Sequence, residues 1–310
     1  MDVILTIALP FFALIFTGMI AGRTPLMPGE TITGLNKFVF FFALPALLIS
    51  SIAEAPVEDL GDPALFLAWL LPGVALFVLT YWLMRALFGG GAGRRAVQAL
   101  AASFANVGFV GLPLVIAALG NEATPAAAVV IVVDTAIMIG IATAIIEVDK
   151  GGSGSLMRAV RTAVQGVVRN PLIVASVFGT LLSAFAVSIP GPVFSYLELL
   201  GAAAGPAALF ALGATLARQP LGEQVGATGV IVFLKLVVHP ALVWGATVLF
   251  GLPPTWQAAL VIMASLPVAA NVYVLAQRYQ VNVAGASTAI LVSTVIAVAT
   301  VSVVLHLILE

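Results

Sequence analysis

Residues 103–113 read Ser-Phe-Ala-Asn-Val-Gly-Phe-Val-Gly-Leu-Pro, inside an apolar stretch long enough to cross a membrane. Glycine costs a helix interior about 1 kcal/mol relative to alanine. Proline removes a backbone donor and clashes with the preceding turn. Because Gly108, Gly111 and Pro113 follow one another so closely, we expect this helix to be broken.

A second apolar stretch is interrupted in a similar way. Residues 265–273 read Ser-Leu-Pro-Val-Ala-Ala-Asn-Val-Tyr, with Pro267 and Asn271 near the centre of the run. Unwound backbone inside a membrane has to be satisfied by protein or by cavity water. Two such stretches predict two broken helices that cross in the middle of a membrane protein.

The composition supports a membrane location. Of 310 residues, 62% are hydrophobic and 8% are charged, whereas about 25% of the residues in soluble domains are charged. The net charge of −1 carries no sign of nucleic-acid binding. With no cysteine and two histidines, we expect neither a cysteine- or histidine-rich metal site nor a cofactor.

Ten stretches reach the length of about 20 apolar residues that a membrane helix requires. The predicted spans are 3–22, 36–53, 64–88, 96–119, 124–146, 171–188, 193–217, 227–250, 255–279 and 284–308. Eleven of the twelve lysines and arginines lie in the connections after odd-numbered spans or within four residues of them at the span ends, and the connections after spans two, four, six and eight hold none. Since positive residues stay in the cytoplasm, we expect a bacterial inner-membrane protein with both termini in the periplasm.

The sequence divides into two similar halves. Pro10 and Pro45 are 35 residues apart, as are Pro171 and Pro206, and Ala-Asn-Val occurs at both breaks. We therefore predict a first five-helix repeat in 1–150, a cytoplasmic linker with an amphipathic surface helix in 151–170, and an inverted second repeat in 171–310. The alternative is that these matches between the two halves arise by chance, because small apolar residues are common in this sequence.

The two breaks predict a site for an anion. Half-helix N-termini present free N–H groups and the positive end of the helix dipole, and Asn106 and Asn271 add uncharged amide donors. The expected binding residues are Asn106, Val107, Gly108, Asn271 and Val272, with Gly111, Pro113 and Pro267 shaping the crossover. Alternatively, the prolines only kink these helices and the asparagines bond neighbouring helices.

The segments 106–113 (Asn-Val-Gly-Phe-Val-Gly-Leu-Pro), 38–48 and 235–240 resemble the auxin efflux carrier family, which includes plant auxin carriers and malonate permeases. The resemblance implies a ten-helix fold like the bile-acid symporters and sodium–proton antiporters, an elevator-type transport domain on a scaffold, and an organic anion substrate. It also implies that Asn106 and Asn271 face the carboxylate. We further expect a homodimer. The long cytoplasmic loop of the plant members is missing, so their regulation cannot be carried over.

Three ionisable residues lie inside predicted spans: Asp134 in span five, and Lys235 and His239 one turn apart in span eight. Burying a charge in a membrane is costly, so such residues usually line a pathway or pair with each other. Coupling of transport to a proton or sodium and a purely structural ion pair are both open. The four tryptophans, Trp69 among them, are interpreted as interface or packing residues.

Three other functions are weighed. A channel would use the crossover as a filter, and an ion-coupled symporter or antiporter could move another solute. An intramembrane enzyme is disfavoured because the chain lacks a Gly-x-Ser-x-Gly or His-Glu-x-x-His motif and has a single mid-span aspartate. The best reading is a secondary transporter for a small organic anion, such as malonate or an indole acid.

Overall fold

The computed structural model describes residues 9–55, 62–151, 155–219 and 225–309, and in this part of the chain every regular element is a helix. The helices are α1 (Leu9–Gly22), α2 (Gly29–Ala53), α3 (Pro63–Phe88), α4 (Ala92–Ser103), α5 (Val107–Leu119), α6 (Asn121–Lys150), α7 (Ser155–Val168), α8 (Pro171–Ala184), α9 (Gly191–Leu216), α10 (Val225–Leu249), α11 (Pro254–Ser265), α12 (Ala270–Tyr279) and α13 (Val283–Leu309).

Within the described residues, each predicted span is mostly helical. Among the described residues, α2, α3, α6, α9, α10 and α13 are long and apolar enough to cross a membrane. Shorter apolar helices lie at spans one, four and six, namely α1, α5 and α8. The chain is therefore an all-helical protein with several membrane-spanning helices, and the count of ten crossings stays a prediction.

Prolines leave a recurrent mark on these helices. π-helical turns at Val39–Ala43, Val107–Gly111 and Leu234–Val238 each end two residues before a proline, Pro45, Pro113 and Pro240 respectively. Proline lacks the N–H of a regular turn and its ring clashes with the carbonyl four residues earlier. A π turn before the proline relieves the clash without ending the helix.

The helices pack in two groups. The first group contains α1, α2, α8 and α9, in which α1 lies along the second half of α9 and α2 contacts α8 and the first half of α9. The second group contains α3, α4, α6, α10, α11 and α13, with α3 against α4 and α10, and α11 against α10 and α13. Helix α5, which follows the first break, lies between the two groups and contacts α9 of the first group as well as α6 and α11 of the second.

Helix α7 occupies part of the predicted linker. It packs along Ile139–Lys150 and extends to the π turn Asp134–Met138 in the middle of α6. Its placement on the membrane surface stays a prediction. As a result, the chain that follows α7 places Asn170 and the start of α8 beside the middle of α6.

Candidate functional site

Both predicted helix breaks are present, and their backbones pair with each other. Between α4 and α5, and between α11 and α12, the chain is extended and forms an antiparallel bridge between Ala105 and Val268. The Asn106 N–H donates to the carbonyl of Pro267 at 3.0 Å, and the Ala269 N–H donates to that of Phe104 at 3.3 Å. Each break thus satisfies backbone groups that the other leaves free.

Some of the residues that predicted the two breaks lie in helical turns and not in the breaks themselves. Pro267 is inside its break, whereas Gly108, Gly111 and Pro113 lie in the helical turns that follow the first break. Gly111 instead permits a close approach between the two crossing chains. A Cβ there would lie 2.9 Å from Leu266 Cδ1 and 3.3 Å from Met263 Cε.

A cavity of about 30 Å³ adjoins the crossing. Its wall includes Gly108 and Phe109 in the first turn of α5, and Ala270 and Asn271 at the start of α12. The first N–H groups of a helix have no acceptor within the helix, so both half-helices bring backbone donors to this wall. The volume suffices for one or two water molecules, and an organic anion requires the cavity to widen.

The two asparagines line this cavity in different environments. Asn106 is 4% exposed, and its amide nitrogen has no hydrogen-bond partner. Asn271 is exposed at the second position of α12. Val107 and Val272 are buried beside them. A buried amide donor without a partner costs about 1–3 kcal/mol, and a carboxylate entering the cavity is the kind of group that accepts from it.

Several lining residues were not found from the sequence. Asn170, Thr135 and Phe40 belong to the same cavity wall. Asn170 is the N-cap of α8, where its Oδ1 accepts from the Leu172 N–H at 2.9 Å. Asparagine before proline is a signal for a helix start, but no local signal places that start next to the crossing. Phe40 of α2 stacks on Phe109 of α5 with ring centroids 6.4 Å apart.

The ionisable residues predicted inside the spans come together in one buried cluster. Asp134 is 1% exposed, and Lys235 and His239 are 0% exposed. The Lys235 Nζ lies 2.9 Å from His239 Nδ1. Trp69, interpreted from the sequence as a packing or interface residue, is buried and also donates its indole N–H to Asp134 Oδ1 at 2.7 Å.

This cluster lies on the long helices α6 and α10 and is close to both breaks. The Lys235 Nζ donates to the carbonyl of Ala264 at 2.6 Å, at the end of α11 directly before the second break. Asp134 is near enough to the backbone of Ala105 in the first break, and to Lys235, to interact electrostatically with both. One oxygen of Asp134 and the Nε2 atom of His239 have no hydrogen-bond partner. A positive group thus sits at the negative end of α11, which is the favourable arrangement for a helix dipole.

Sequence comparisons relate this chain to membrane transport proteins. The family profile described as "Membrane transport protein" matches residues 3–305. A "Putative malonate transporter" of Rhizobium meliloti (strain 1021) is 34% identical over 304 residues, which cover 97% of this chain and 95% of the relative.

Two more distant relatives were also found. The "Uncharacterized transporter YfdV" of Escherichia coli (strain K12) is 26% identical, with 88% of this chain and 87% of the relative covered. The "Auxin efflux carrier component 3a" of Oryza sativa subsp. japonica is 30% identical over 137 residues, which cover 42% of this chain and 22% of the plant protein. These three relatives are each named as a transporter or a carrier.

Proposed function

Given that the chain belongs to the membrane transport protein family, which confirms the predicted kinship with the auxin efflux carriers, we propose that it is a secondary transporter that binds a small organic anion where its two broken helices cross. Malonate is the first candidate, because the relative called a malonate transporter is similar over almost the whole chain. Indole acids are the second, because the auxin carrier is similar over a shorter part.

The observation that carries this proposal is the unpartnered amide of Asn106 at the cavity wall. The first turns of two half-helices surround it with backbone donors and partial positive charge. Among the residues that the structure describes, no lysine or arginine lines the cavity. Such a site holds an anion through dipoles alone, so that binding is weak enough for release.

The two packing groups suit transport by an elevator motion in a protein with ten crossings and two inverted repeats. Helices α5 and α12, which carry the site, lie beside the α3–α4–α6 and α10–α11–α13 group, while α1, α2, α8 and α9 form the scaffold. The stacked rings of Phe40 and Phe109 lie between α2 of the scaffold and α5. Movement of α5 relative to α2 would separate these rings and open the cavity.

Coupling to a proton or sodium is the role that we assign to the cluster of Asp134, Lys235 and His239. The cluster reaches the carbonyl of Ala264 before one break and the backbone of Ala105 in the other. A change in its charge would therefore alter both chains that form the substrate site. A merely structural ion pair would leave transport independent of the coupling ion.

The test uses purified protein in liposomes with radiolabelled malonate. We expect saturable uptake that accelerates when malonate is present on the opposite side, since a carrier exchanges substrate and a channel does not. Asn106→Ala and Asn271→Ala should each weaken malonate binding by about tenfold or more, because a lost hydrogen bond to an ionised group costs about 1.5–3 kcal/mol and each 1.4 kcal/mol is a factor of ten.

A matched control is Asn36→Ala. This asparagine bonds Ile32 and Thr215 away from the cavity, so its removal should leave malonate affinity unchanged. Asn→Asp at position 106 or 271 should be worse than alanine, since a negative charge would oppose the anion. Near-normal affinity in both alanine variants would exclude the crossing as the site. Competition with indole-3-acetate distinguishes the two candidate substrates.

A further inference from the structure

Asn170 brings a third helix N-terminus to the cavity. It precedes Pro171 at the start of α8, and both it and Leu172 line the same wall as Asn106 and Asn271. Helix α8 packs on α2 in the scaffold group. The wall of the cavity therefore includes the starts of three helices, α5 and α12 at the crossing and α8 of the first packing group.

The capping bond leaves the amide of Asn170 available. Its Oδ1 accepts from the Leu172 N–H at 2.9 Å, which holds the side chain in place. Its NH₂ group takes no part in the cap and carries two donors. Together with the positive end of α8, this amide forms a second donor set in the cavity wall that also holds the unpartnered amide of Asn106, which is 4% exposed.

The equivalent position in the first half of the chain lacks such a group. If Pro10 corresponds to Pro171, the offset is 161 residues, and Asn170 corresponds to Leu9. A leucine has no acceptor for a cap and no donor for a ligand. Leu9 is 57% exposed. Under this correspondence the amide at the start of α8 has no counterpart in the first half.

We propose that Asn170 and the N-terminus of α8 bind the second carboxylate of a short dicarboxylate whose first carboxylate is bound at the crossing. This rests on the proposed function and narrows its substrate class. Both donor sets line the same cavity, so a short dicarboxylate reaches both of them when the cavity widens. Because the two sets lie on different helix groups, relative movement of the groups separates them and releases one carboxylate.

The experiment compares malonate with propionate, a monocarboxylate of the same carbon number, by binding to purified protein. Asn170→Ser is the decisive variant, because serine keeps an oxygen for the cap and removes the amide donors. We expect its Kd for malonate to rise about tenfold, the size of one lost hydrogen bond to an ionised group, while its Kd for propionate is unchanged. Asn170→Asp also keeps the cap, and it should weaken malonate binding further through charge repulsion.

Asp62→Ala is the control for the loss of a helix cap. Asp62 caps α3 by accepting from the Ala64 N–H at 2.7 Å, and it does not line this cavity. It should lower the melting temperature and keep the malonate-to-propionate ratio. An unchanged ratio in both Asn170→Ser and Asn170→Asp would overturn the role of Asn170 while the proposed transport stands. Failure of the unaltered protein to bind either anion would instead overturn malonate as the proposed substrate, and this inference with it.

Discussion

Lys235 is the residue whose surroundings are most unusual for a membrane protein. Its ammonium group is completely buried, bonds the carbonyl of Ala264 and contacts the ring of His239. Asp134 is near enough to interact with this ammonium group electrostatically without touching it directly. Removing one member of a buried charge pair costs about 3–5 kcal/mol, since the other charge stays uncompensated.

Changing Asp134 and Lys235 separately and together tests the coupling. Asp134→Asn keeps an acceptor for the Trp69 N–H, so we expect folding to survive, concentrative uptake to be lost and exchange of substrate across the membrane to be spared. Lys235→Met should lower the melting temperature strongly, and the double variant should recover much of that loss. If uptake by Asp134→Asn remains concentrative, the cluster is structural only.

At the scale of helices, the crossing of α1 and α9 depends on glycine. A Cβ on Gly213 would overlap the backbone carbonyl of Ile15, and one on Gly18 would overlap that of Phe210. Backbone contacts of this kind hold membrane helices together without polar side chains. Arg218 adds to the same contact by donating to the carbonyls of Gly22 and Met27 at 3.0 and 2.9 Å.

Gly213→Ala should therefore destabilise the protein, although alanine is the better helix former. Overpacking typically costs about 1–3 kcal/mol, and a backbone carbonyl cannot move away as a flexible side chain can. The measurement is the melting temperature of purified protein in detergent. Gly229→Ala in α10, where a Cβ meets nothing within 4 Å, is the matched control and should be neutral or stabilising. Equal melting temperatures would contradict the tight crossing.

At the scale of the whole molecule, the two ends of the bundle differ in charge. At one end, Asp149 accepts from the N–H groups of Ala92 and Gly93 at 3.2 and 2.8 Å. At the same end, Lys150 donates to the Tyr279 carbonyl at 2.6 Å. The other end has a recess that includes Glu54 and Glu122. The structure thus brings together the start of α4, the end of α6 and the end of α12.

The sidedness predicts the results of fusion experiments. A reporter after Glu310 should be active only in the periplasm, and a tag at residues 151–155 should be accessible only from the cytoplasm, because the basic connections stay inside. The two positions together test whether the number of crossings between them is odd. Activity of both fusions on the same side of the membrane would show that the predicted span count is wrong.

Much of this molecule was predictable from local chemistry. The apolar runs predict the helices because their length and polarity must match the bilayer, and the glycines and prolines near 108–113 and at Pro267 predict the two breaks because they weaken helices wherever they occur. Asn106, Asn271, Asp134, Lys235 and His239 were found as polar groups in apolar surroundings. The family followed from contiguous motifs.

What only the tertiary structure decided is which distant residues meet. Asn170 reaches the cavity through the packing of α7 along α6, and Trp69 meets Asp134 across 65 positions of the chain. The bond from Lys235 to Ala264 joins two separate spans. Such contacts depend on how helices cross and rotate against one another, and small residues such as Gly213 set that geometry through shape alone. Hydrophobicity in a membrane sequence is nearly uniform around each helix, so it leaves the partner of each face undetermined.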